Sequence, residues 1–178
     1  MRLLFIKLKN IGDALIMTPA LTAARELYPQ AHIDVLVRGG TEGILKGSLA
    51  INDVYTSAAP EAHKRSSSQF LKDMALIMKL RKKKYDWIFE LSDNTRGRIM
   101  AACIGAKNRA TMVIRDFPVW AQPIFNKKLI EPKIEMHRCE KDVELLRAFC
   151  GYKAKTPAMQ FDRSFADWSW TQPHVTQA

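Results

Sequence analysis

The sequence has 178 residues, of which 47% are apolar and 26% charged, and its formal net charge is +10. This length is typical of one domain with its own core, and the composition excludes a disordered chain. No apolar run approaches the length of a membrane-spanning helix. The excess of Lys and Arg favours an anionic partner, which leaves nucleic acid, an acidic membrane surface and a phosphorylated small molecule as classes.

The opening residues lack the charged head, long apolar middle and small-residue cleavage site of a secretory signal, so we expect a cytoplasmic protein. Three cysteines, odd in number and widely spaced, favour small buried side chains over a disulfide framework or a zinc cage. The sequence shows neither a metal-ligand cluster nor a recognisable nucleic-acid-binding motif. We therefore expect no metal and no nucleic-acid partner.

The first stretch, residues 3–13, predicts a buried strand of an α/β domain that turns out sharply at Gly12. Open α/β sheets bind ligands beyond the carboxyl ends of their strands, so Asp13 lies where a carboxylate can face a substrate. The other interpretation is that Asp13 caps the helix that follows, and position by itself favours capping.

The remaining chain alternates between helix and strand patterns, as expected of an α/β domain. Apolar spacing and clusters of Gly, Pro and polar residues set the boundaries. The predicted elements are a helix at 14–28 that is kinked or restarted at Thr18-Pro19, a strand at 33–37, a short helix at 41–46, a short strand at 53–56, a surface loop at 58–68 that could close over a substrate, a helix at 69–84, a strand at 86–91, a helix at 97–104, a strand at 108–113, an irregular excursion at 115–132, and a helix at 138–149 ended by Gly151.

The loop after the strand at 86–91 is a second candidate site. It opens a helix whose free amide groups, together with Arg96 and Arg98, could hold an anion. A capped helix with both arginines in solvent is the alternative, and the sequence does not decide between the two. For the basic run at 81–84 we favour a solvated last helical turn, because cations there complement the helix dipole.

Several short motifs occur in a fixed order along the chain. They are IKLKNIGDAL at 6–15, TPAL at 18–21, YPQA at 28–31, IDVLV at 33–37, YDWIFEL at 85–91 followed by Asp93, Asn94, Arg96 and Gly97, IGAK at 104–107, and His137 leading into the Leu145-Leu146 helix. In this order and spacing they resemble the signature of the ADP-heptose:lipopolysaccharide heptosyltransferases of glycosyltransferase family 9. The variant with Leu91-Ser92-Asp93 is similar to the branch labelled heptosyltransferase III.

The resemblance implies a fold and a domain organisation. It implies a Rossmann-like parallel sheet flanked by helices, which is the amino-terminal half of a GT-B glycosyltransferase. Residues 1–152 would form the acceptor-side domain, and residues 153–178 a tail or the start of an inter-domain linker. The carboxyl-terminal domain, which binds most of the ADP-heptose donor in the family, would be absent. Because positioning both reactants supplies much of a transferase's rate, we expect this chain alone to be inactive or nearly so.

The resemblance also implies a mechanism. Asp13 would act as the general base on an acceptor sugar hydroxyl, which attacks the anomeric carbon of the heptose with inversion and releases ADP. A positioned carboxylate suits this step because a sugar hydroxyl is a poor nucleophile at neutral pH. The resemblance implies no cofactor besides the donor substrate and no metal for catalysis.

In the family the acceptor is the anionic inner core of lipopolysaccharide, which fits the positive charge of the chain. Lys and Arg bind carboxylates and phosphates through charge-assisted contacts, although any one of them is more often a solvated surface residue. Peripheral contact with the inner face of the inner membrane is a further expectation. The candidate substrate-binding residues are Lys7, Asn10, Gly12, Lys64, Arg65, Asn94 and Arg96, with Arg115 and His137 as secondary candidates.

Two other functions stay open from the sequence. A binding module for anionic glycolipid would hold the acceptor without turnover, and its binding would tolerate Asp13→Asn. A basic nucleic-acid-binding α/β domain would retain nucleic acid in a salt-sensitive manner.

Overall fold

Six parallel strands form one sheet in the computed structural model, which describes residues 1–58, 67–132 and 136–161. The strands are β1 (Arg2–Lys7), β2 (His32–Arg38), β3 (Asp53–Ser57), β4 (Tyr85–Glu90), β5 (Ala106–Val113) and β6 (Lys127–Ile130). Their spatial order is β3-β2-β1-β4-β5-β6, and every neighbouring pair is parallel. This is the strand order of a Rossmann sheet, so the predicted fold class is confirmed.

The helices cover both faces of the sheet. They are α1 (Ile11–Ile16), α2 (Thr18–Leu27), α3 (Ser67–Lys82), α4 (Thr95–Ile104) and α5 (Arg138–Cys150), with short 3-10 helices at Glu42–Leu45 and Val119–Ile124. Leu3 and Phe5 of β1 pack with α2 and α5, whereas Leu4 and Ile6 pack with α3 and α4. A strand covered on both faces is apolar at successive positions, which explains the opening sequence. Among the described helices, none combines the length and apolar composition that a bilayer span requires.

The sequence left a kink or a restart open at Thr18-Pro19, and the structure shows a restart, with Met17 as the N-cap of α2. The first helix ends at Ile16, and the Thr18 hydroxyl donates a hydrogen bond to the carbonyl of Leu15 at 2.8 Å. Pro19 stands in the first turn of α2, where its missing N–H costs nothing. The predicted stop of α5 is also confirmed, because Gly151 adopts φ 78° directly after Cys150.

The excursion at 115–132 holds more regular structure than the sequence indicated. It contains the 3-10 helix at Val119–Ile124 and the edge strand β6, whose sequence is KKLI. Four residues with two lysines carry little apolar signal, and an edge strand packs against one neighbour only. Most of the predicted surface loop at 58–68 lies outside the described residues.

The basic run that ends α3 does not point wholly into solvent. The Lys83 ammonium lies 2.9 Å from an oxygen of Asp34 and 2.9 Å from an oxygen of Asp53. Burial lowers the pKa of Lys83, but hydrogen bonds with Tyr55 and the two carboxylates give a net rise. His32, Asp34 and Asp53 each place one nitrogen or oxygen atom within 4.8 Å of the others, which is a spacing that could hold a metal ion. The Lys83 ammonium supplies the positive charge beside the two carboxylates. The predicted solvated turn is therefore wrong at Lys83.

Candidate functional site

The carboxyl ends of β1 and β4 lie side by side at the centre of the sheet. Ile6 is paired with Glu90 in register, and the strand order reverses between these two strands. The helices that follow these two strands, α1 and α4, pack on opposite faces of the sheet, and this is the position at which Rossmann sheets bind ligands. The candidate site is this edge of the sheet.

Asp13 lies at this edge in the first turn of α1. The backbone N–H of Asn10 donates to Asp13 Oδ2 at 3.2 Å, so the carboxylate caps the start of the helix. The side chain is half-buried, and its second oxygen has no partner in the described part of the chain. The capping interpretation is confirmed, and the geometry leaves one oxygen for a ligand.

The residues beside Asp13 are accessible. Asn10 and Gly12 are both exposed, and a Cβ added at Gly12 would meet nothing within 4 Å. Arg38, the last residue of β2, donates from Nη1 to Asn10 Oδ1 at 3.2 Å. Arg38 was not among the residues predicted from the sequence, although its place at a strand end next to a glycine pair was a usable signal. A cation and an amide thus stand near the Asp13 carboxylate.

Lys7 does not contribute an exposed cation to this edge. Its ammonium is fully buried and lies 2.6 Å from Asp142 Oδ2 on α5. The prediction that Lys7 binds the acceptor directly is therefore wrong in this structure, because its charge is compensated inside the protein. Lys7 is enclosed because α5 packs over the end of β1 and brings Asp142 against it.

Lys7 belongs to a buried ionic chain made of Lys7, Asp142, Arg138 and Asp93. Arg138 Nε lies 3.5 Å from Asp142 Oδ1, and the Arg138 guanidinium also binds Asp93. Asp93 adopts φ 50°, a left-handed conformation that aspartate tolerates better than most residues. The chain thereby ties the end of β1 to α5 and to the turn after β4.

This ionic chain was not predicted from the sequence. Asp142 stands at helical spacing with Leu145 and Leu146, so it falls on the apolar face of α5. A carboxylate on an apolar face, together with a lysine in an apolar strand, was the available signal for a buried pair. Burial raises the pKa of Asp142, and the positive charges of Lys7 and Arg138 oppose that rise.

Glu90 is the second buried acid at this edge. Its Oε1 accepts a hydrogen bond from the Ser92 N–H at 2.8 Å, and its Oε2 accepts one from the Thr111 hydroxyl at 3.3 Å. Complete burial is the main reason why the pKa of Glu90 rises to about 7, and the negative charge of Asp93 adds to the rise. From the sequence, Glu90 was predicted only to lie in a strand.

The raised pKa of Glu90 makes stability depend on pH. The folded protein holds the proton more tightly than the unfolded chain, so this contribution is complete below about pH 4.5 and is lost as the pH rises through about 7. At about 1.4 kcal/mol per pKa unit, the loss is on the order of 3 kcal/mol. The Glu90→Gln side chain cannot ionise. As the pH rises from 4.5 to 8, we therefore expect the free energy of unfolding of this variant to increase by this amount relative to that of the unaltered protein.

Urea unfolding at intervals between pH 4.5 and 8 measures this difference. The control is Glu144→Gln, which removes a partly exposed carboxyl group from α5. If the free energies of unfolding of Glu90→Gln and of the unaltered protein change in parallel with pH, the pKa of Glu90 is not raised.

Asn94 joins the loops that follow β1 and β4 and caps α4. Its Oδ1 accepts the Gly97 N–H at 2.7 Å, and its Nδ2 donates to the carbonyl of Leu8 at 3.1 Å. The Leu8 N–H in turn donates to the Ser92 hydroxyl oxygen at 2.8 Å. The capped-helix alternative is thus confirmed at Asn94, and its amide group is engaged within the protein.

The two arginines of α4 are not in solvent. Arg96 Nη2 lies 2.6 Å from Asp73 Oδ2 on α3, so a ligand anion at Arg96 has to compete with that carboxylate. Arg98 is 4% exposed, and its guanidinium lies 4.6 Å from the centre of the Phe117 ring. The sequence alternative of two solvated arginines is therefore wrong, and their binding of an anion stays a prediction.

Gly97 lets α4 approach β4 closely. A Cβ at Gly97 would lie 2.4 Å from Glu90 Oε1 and 2.9 Å from Ser92 Oγ. We therefore expect Gly97→Ala to destabilise the protein by about 1–3 kcal/mol, as overpacked sites do. Gly12→Ala is the control, since the helical site is open and alanine stabilises helices by about 0.5–1 kcal/mol. Chemical unfolding measures the change in the free energy of unfolding for both variants, which should be a decrease for Gly97→Ala and an increase for Gly12→Ala. Changes of the same sign would contradict the close approach of α4 to β4.

Two of the four remaining predicted substrate-binding residues are exposed at the carboxyl edge of the sheet. Lys64 and Arg65 lie outside the described residues. Arg115 is exposed in the turn after β5, at the same edge of the sheet as Asp13. His137 is exposed and caps α5, with Nδ1 accepting the Cys139 N–H at 3.4 Å. The structure thus brings Asn10, Gly12 and Asp13 together and uses Lys7 and Asn94 internally.

Two curated proteins are similar to the chain in sequence, and both are called lipopolysaccharide heptosyltransferase 3. One, from Escherichia coli, is 33% identical over 96 residues, which are 54% of this chain and 28% of that protein. The other, from Escherichia coli strain K12, is 25% identical over 133 residues, which are 70% of this chain and 38% of that protein. The chain thus spans well under half the length of these relatives. No protein-family model matches the chain.

Solved structures show the same fold. Escherichia coli heptosyltransferase WaaC with ADP-2-deoxy-2-fluoro heptose gives a TM-score of 0.74 at 24% identity, over 93% of this chain and 52% of that one. A glycosyltransferase family 9 protein from Veillonella parvula gives 0.77 at 16% identity, over 98% and 47%. The chain is thus similar in sequence to two lipopolysaccharide heptosyltransferases and shares its fold with solved glycosyltransferase structures, over about half of their length or less.

Proposed function

We propose that this chain forms the acceptor-side half of a heptosyltransferase, which transfers heptose from ADP-heptose to the inner core of lipopolysaccharide. The observation that carries the proposal is the position of Asp13, a half-buried carboxylate at the carboxyl end of β1 with one oxygen unpartnered among the described residues. The names of the relatives supply the substrate classes, since they include lipopolysaccharide heptosyltransferases and one holds an ADP-heptose analogue.

In this proposal Asp13 is the general base of an inverting transfer. Its free oxygen takes the proton of an acceptor hydroxyl while that hydroxyl oxygen bonds to the anomeric carbon, and the bond to the ADP phosphate oxygen breaks. The hydrogen bond from Asn10 to the other carboxylate oxygen fixes the orientation of the group. A base already oriented by a second hydrogen bond loses little freedom when the substrate binds.

The acceptor meets the residues around Asp13. Asn10, Arg38, Arg115 and His137 are polar or cationic groups at this edge, and the +10 net charge attracts an anionic core. Lys7 acts indirectly in this proposal, because its buried pair with Asp142 holds the end of β1 from which the Asp13 loop departs. Lys64, Arg65 and Arg96 stay candidates for contact with acceptor phosphates.

We also propose that the donor site lies largely on a part of the relatives that this chain does not match. A polypeptide of residues 1–178 would then bind acceptor but transfer heptose slowly or not at all, since positioning of both reactants supplies much of the rate. The proposed location is the cytoplasm, and no metal or cofactor takes part in the proposed step.

A transfer assay tests the proposal. Residues 1–178, and a longer polypeptide that joins them to a donor-binding half, are incubated with ADP-heptose and a core acceptor lacking heptose. Release of ADP and the anomeric configuration of the product, read by NMR, are measured. We expect inversion with the longer polypeptide and little turnover with residues 1–178. If the longer polypeptide binds acceptor but transfers no heptose, the chain is a glycolipid-binding module instead. Salt-sensitive retention of nucleic acid would indicate a nucleic-acid-binding domain.

A further inference from the structure

Three side chains with metal-ligating atoms lie on one face of the sheet at its amino-terminal edge. His32 and Asp34 stand two residues apart at the start of β2, so their side chains leave the same face, as does that of Leu36 in the core below α3 and α4. Asp53 begins β3 and is paired in register with Asp34. Spacing along the chain does not reveal this cluster, because Asp53 reaches Asp34 only through the pairing of β2 with β3.

The imidazole of His32 lies between the two carboxylates. Its Nε2 is 3.0 Å from Asp34 Oδ1 and 3.3 Å from Asp53 Oδ2. One atom from each of the three residues lies within 4.8 Å of the other two. Ligands held at about 2.0–2.2 Å from a tetrahedral zinc ion are about 3.3–3.6 Å apart. The two measured separations are close to this spacing, so small movements of the side chains would bring all three atoms onto one ion.

One oxygen of Asp34 has no hydrogen-bond donor. The side chain is fully buried, and Oδ1 accepts no hydrogen bond from the described part of the chain, because its close contact with His32 Nε2 lacks the required geometry. The other oxygen, Oδ2, accepts the Tyr85 hydroxyl at 2.6 Å, which holds the carboxylate with Oδ1 toward His32. A buried oxygen without a donor is costly, and a metal ion would satisfy it. The Tyr85 hydroxyl is the kind of outer partner that orients a metal-ligating carboxylate.

Lys83 is the cation that a metal ion has to displace. Its ammonium lies 2.9 Å from Asp34 Oδ2 and 2.9 Å from Asp53 Oδ2, so it does not serve Asp34 Oδ1. One ammonium leaves the pair of carboxylates with an excess of negative charge, whereas a divalent ion would neutralise both. The Lys83 side chain is 19% exposed and has a flexible stem, so its ammonium can turn into solvent when an ion binds.

We propose that His32, Asp34 and Asp53 form a binding site for a divalent transition-metal ion of the zinc type, with water as the fourth ligand. One imidazole nitrogen and two carboxylate oxygens make a donor set that Zn²⁺ accepts. Mg²⁺ and Ca²⁺ take about six to eight oxygen ligands, so the imidazole disfavours them.

The site is separate from the candidate active site. His32 and Asp53 are the first residues of their strands, whereas Asp13 follows the last residue of β1, and a six-residue strand is about 20 Å long. An ion at this edge would therefore take no part in the proposed transfer. It would join β2 to the edge strand β3 and stabilise that side of the sheet.

Titration of the full chain with Zn²⁺ alone, and with Co²⁺ as a spectroscopic probe, tests the site. We expect Zn²⁺ to raise the temperature of thermal unfolding more than Mg²⁺ at equal concentration does, because only the folded chain brings the ligands together. Co²⁺ should give the strong visible absorption of a four-coordinate ion. His32→Ala and Asp53→Asn should each lower the affinity for Zn²⁺ by about tenfold or more, since loss of even an outer partner costs about 10- to 100-fold. These side chains are 35% and 48% exposed, so both variants should fold.

His137→Ala is the matched control, because His137 is the other histidine in the described part of the chain. Its Nδ1 lies 3.0 Å from Cys139 Sγ, and this pair is the rival zinc ligand set. The control should bind Zn²⁺ as the unaltered chain does. Loss of binding in His137→Ala but not in His32→Ala, or a charge-transfer band from a thiolate to Co²⁺, would overturn the proposal. Equal stabilisation by Mg²⁺ and Zn²⁺ would overturn it as well.

Lys83→Met tests the displacement of the ammonium. Removing a competing positive charge at this short range should tighten Zn²⁺ binding by about tenfold or more. Lys84→Met is the control, because Lys84 is the exposed neighbour of Lys83. Circular dichroism verifies that both variants are folded. If Lys83→Met binds Zn²⁺ no more tightly than Lys84→Met, the ion does not occupy the site between Asp34 and Asp53.

Discussion

Replacing Asp13 by Asn is expected to lower the rate of heptose transfer by about 10²- to 10⁴-fold, the usual contribution of a general base. Asparagine keeps an oxygen that can accept the Asn10 N–H, so the start of α1 stays capped, but it cannot take the proton of an acceptor hydroxyl. Acceptor affinity should change little, because the contacts of Asn10 and Arg38 are untouched. Turnover in a transfer-active polypeptide containing this chain, with acceptor binding measured separately, checks both expectations.

Asp13→Ala separates catalysis from capping. It removes the base and the cap together, so we expect the same loss of turnover with an added loss of about 0.5–2 kcal/mol in the free energy of unfolding. Glu140→Gln is the control, since it removes a first-turn carboxylate from α5 rather than α1. If Asp13→Asn transfers heptose at the rate of the unaltered protein, Asp13 is only a cap.

Asp142→Ala is expected to destabilise the protein by about 3–5 kcal/mol, the usual cost of breaking a buried ion pair from one side. The Lys7 ammonium is fully enclosed, and Asp142 is the carboxylate that lies 2.6 Å from it. Without Asp142 the ammonium is left buried and unpaired, or must lose its proton. Equilibrium unfolding in urea measures the change.

Two further variants show whether the unpaired charge causes this loss of stability. The double variant Lys7→Met/Asp142→Leu removes both charges and fills the space, so it should recover most of the lost stability. Glu144→Ala breaks the ion pair between Glu144 and Arg147, and each of these two side chains is 26% exposed. It should lower the free energy of unfolding by less than about 1 kcal/mol. A double variant as unstable as Asp142→Ala would show that packing around these residues, rather than the unpaired charge, carries the effect.

The fold was largely predictable because its signals are local. Continuous apolar runs indicated β1, β2 and β4, the Thr18-Pro19 pair indicated an interruption of the first helix, and Gly151 indicated the end of α5. β6 was missed because a short edge strand with two lysines is neither apolar nor alternating enough to stand out from a loop.

The candidate site was predictable only in part. Asp13, Asn10 and Gly12 follow one strand directly, so their shared position could be inferred from the strand order of α/β proteins. Arg38 and Asp142 come from distant segments, and nothing local to either predicts its partner. Asn94 and Arg96 were correctly placed at a helix start, but their hydrogen bonds to Leu8 and Asp73 depend on how the loops meet.

The sequence by itself determined the class of the fold and placed the Asp13 carboxylate at the carboxyl edge of the sheet, where we propose that the acceptor binds. The tertiary structure decided which charged groups remain available. From the sequence, both Lys7 and Arg96 were predicted to be ligand-binding cations. In the structure α5 places Asp142 against Lys7, and α3 places Asp73 against Arg96. Whether a charge faces solvent or a partner depends on residues far away in the chain, because burial makes an unpaired charge too costly to keep.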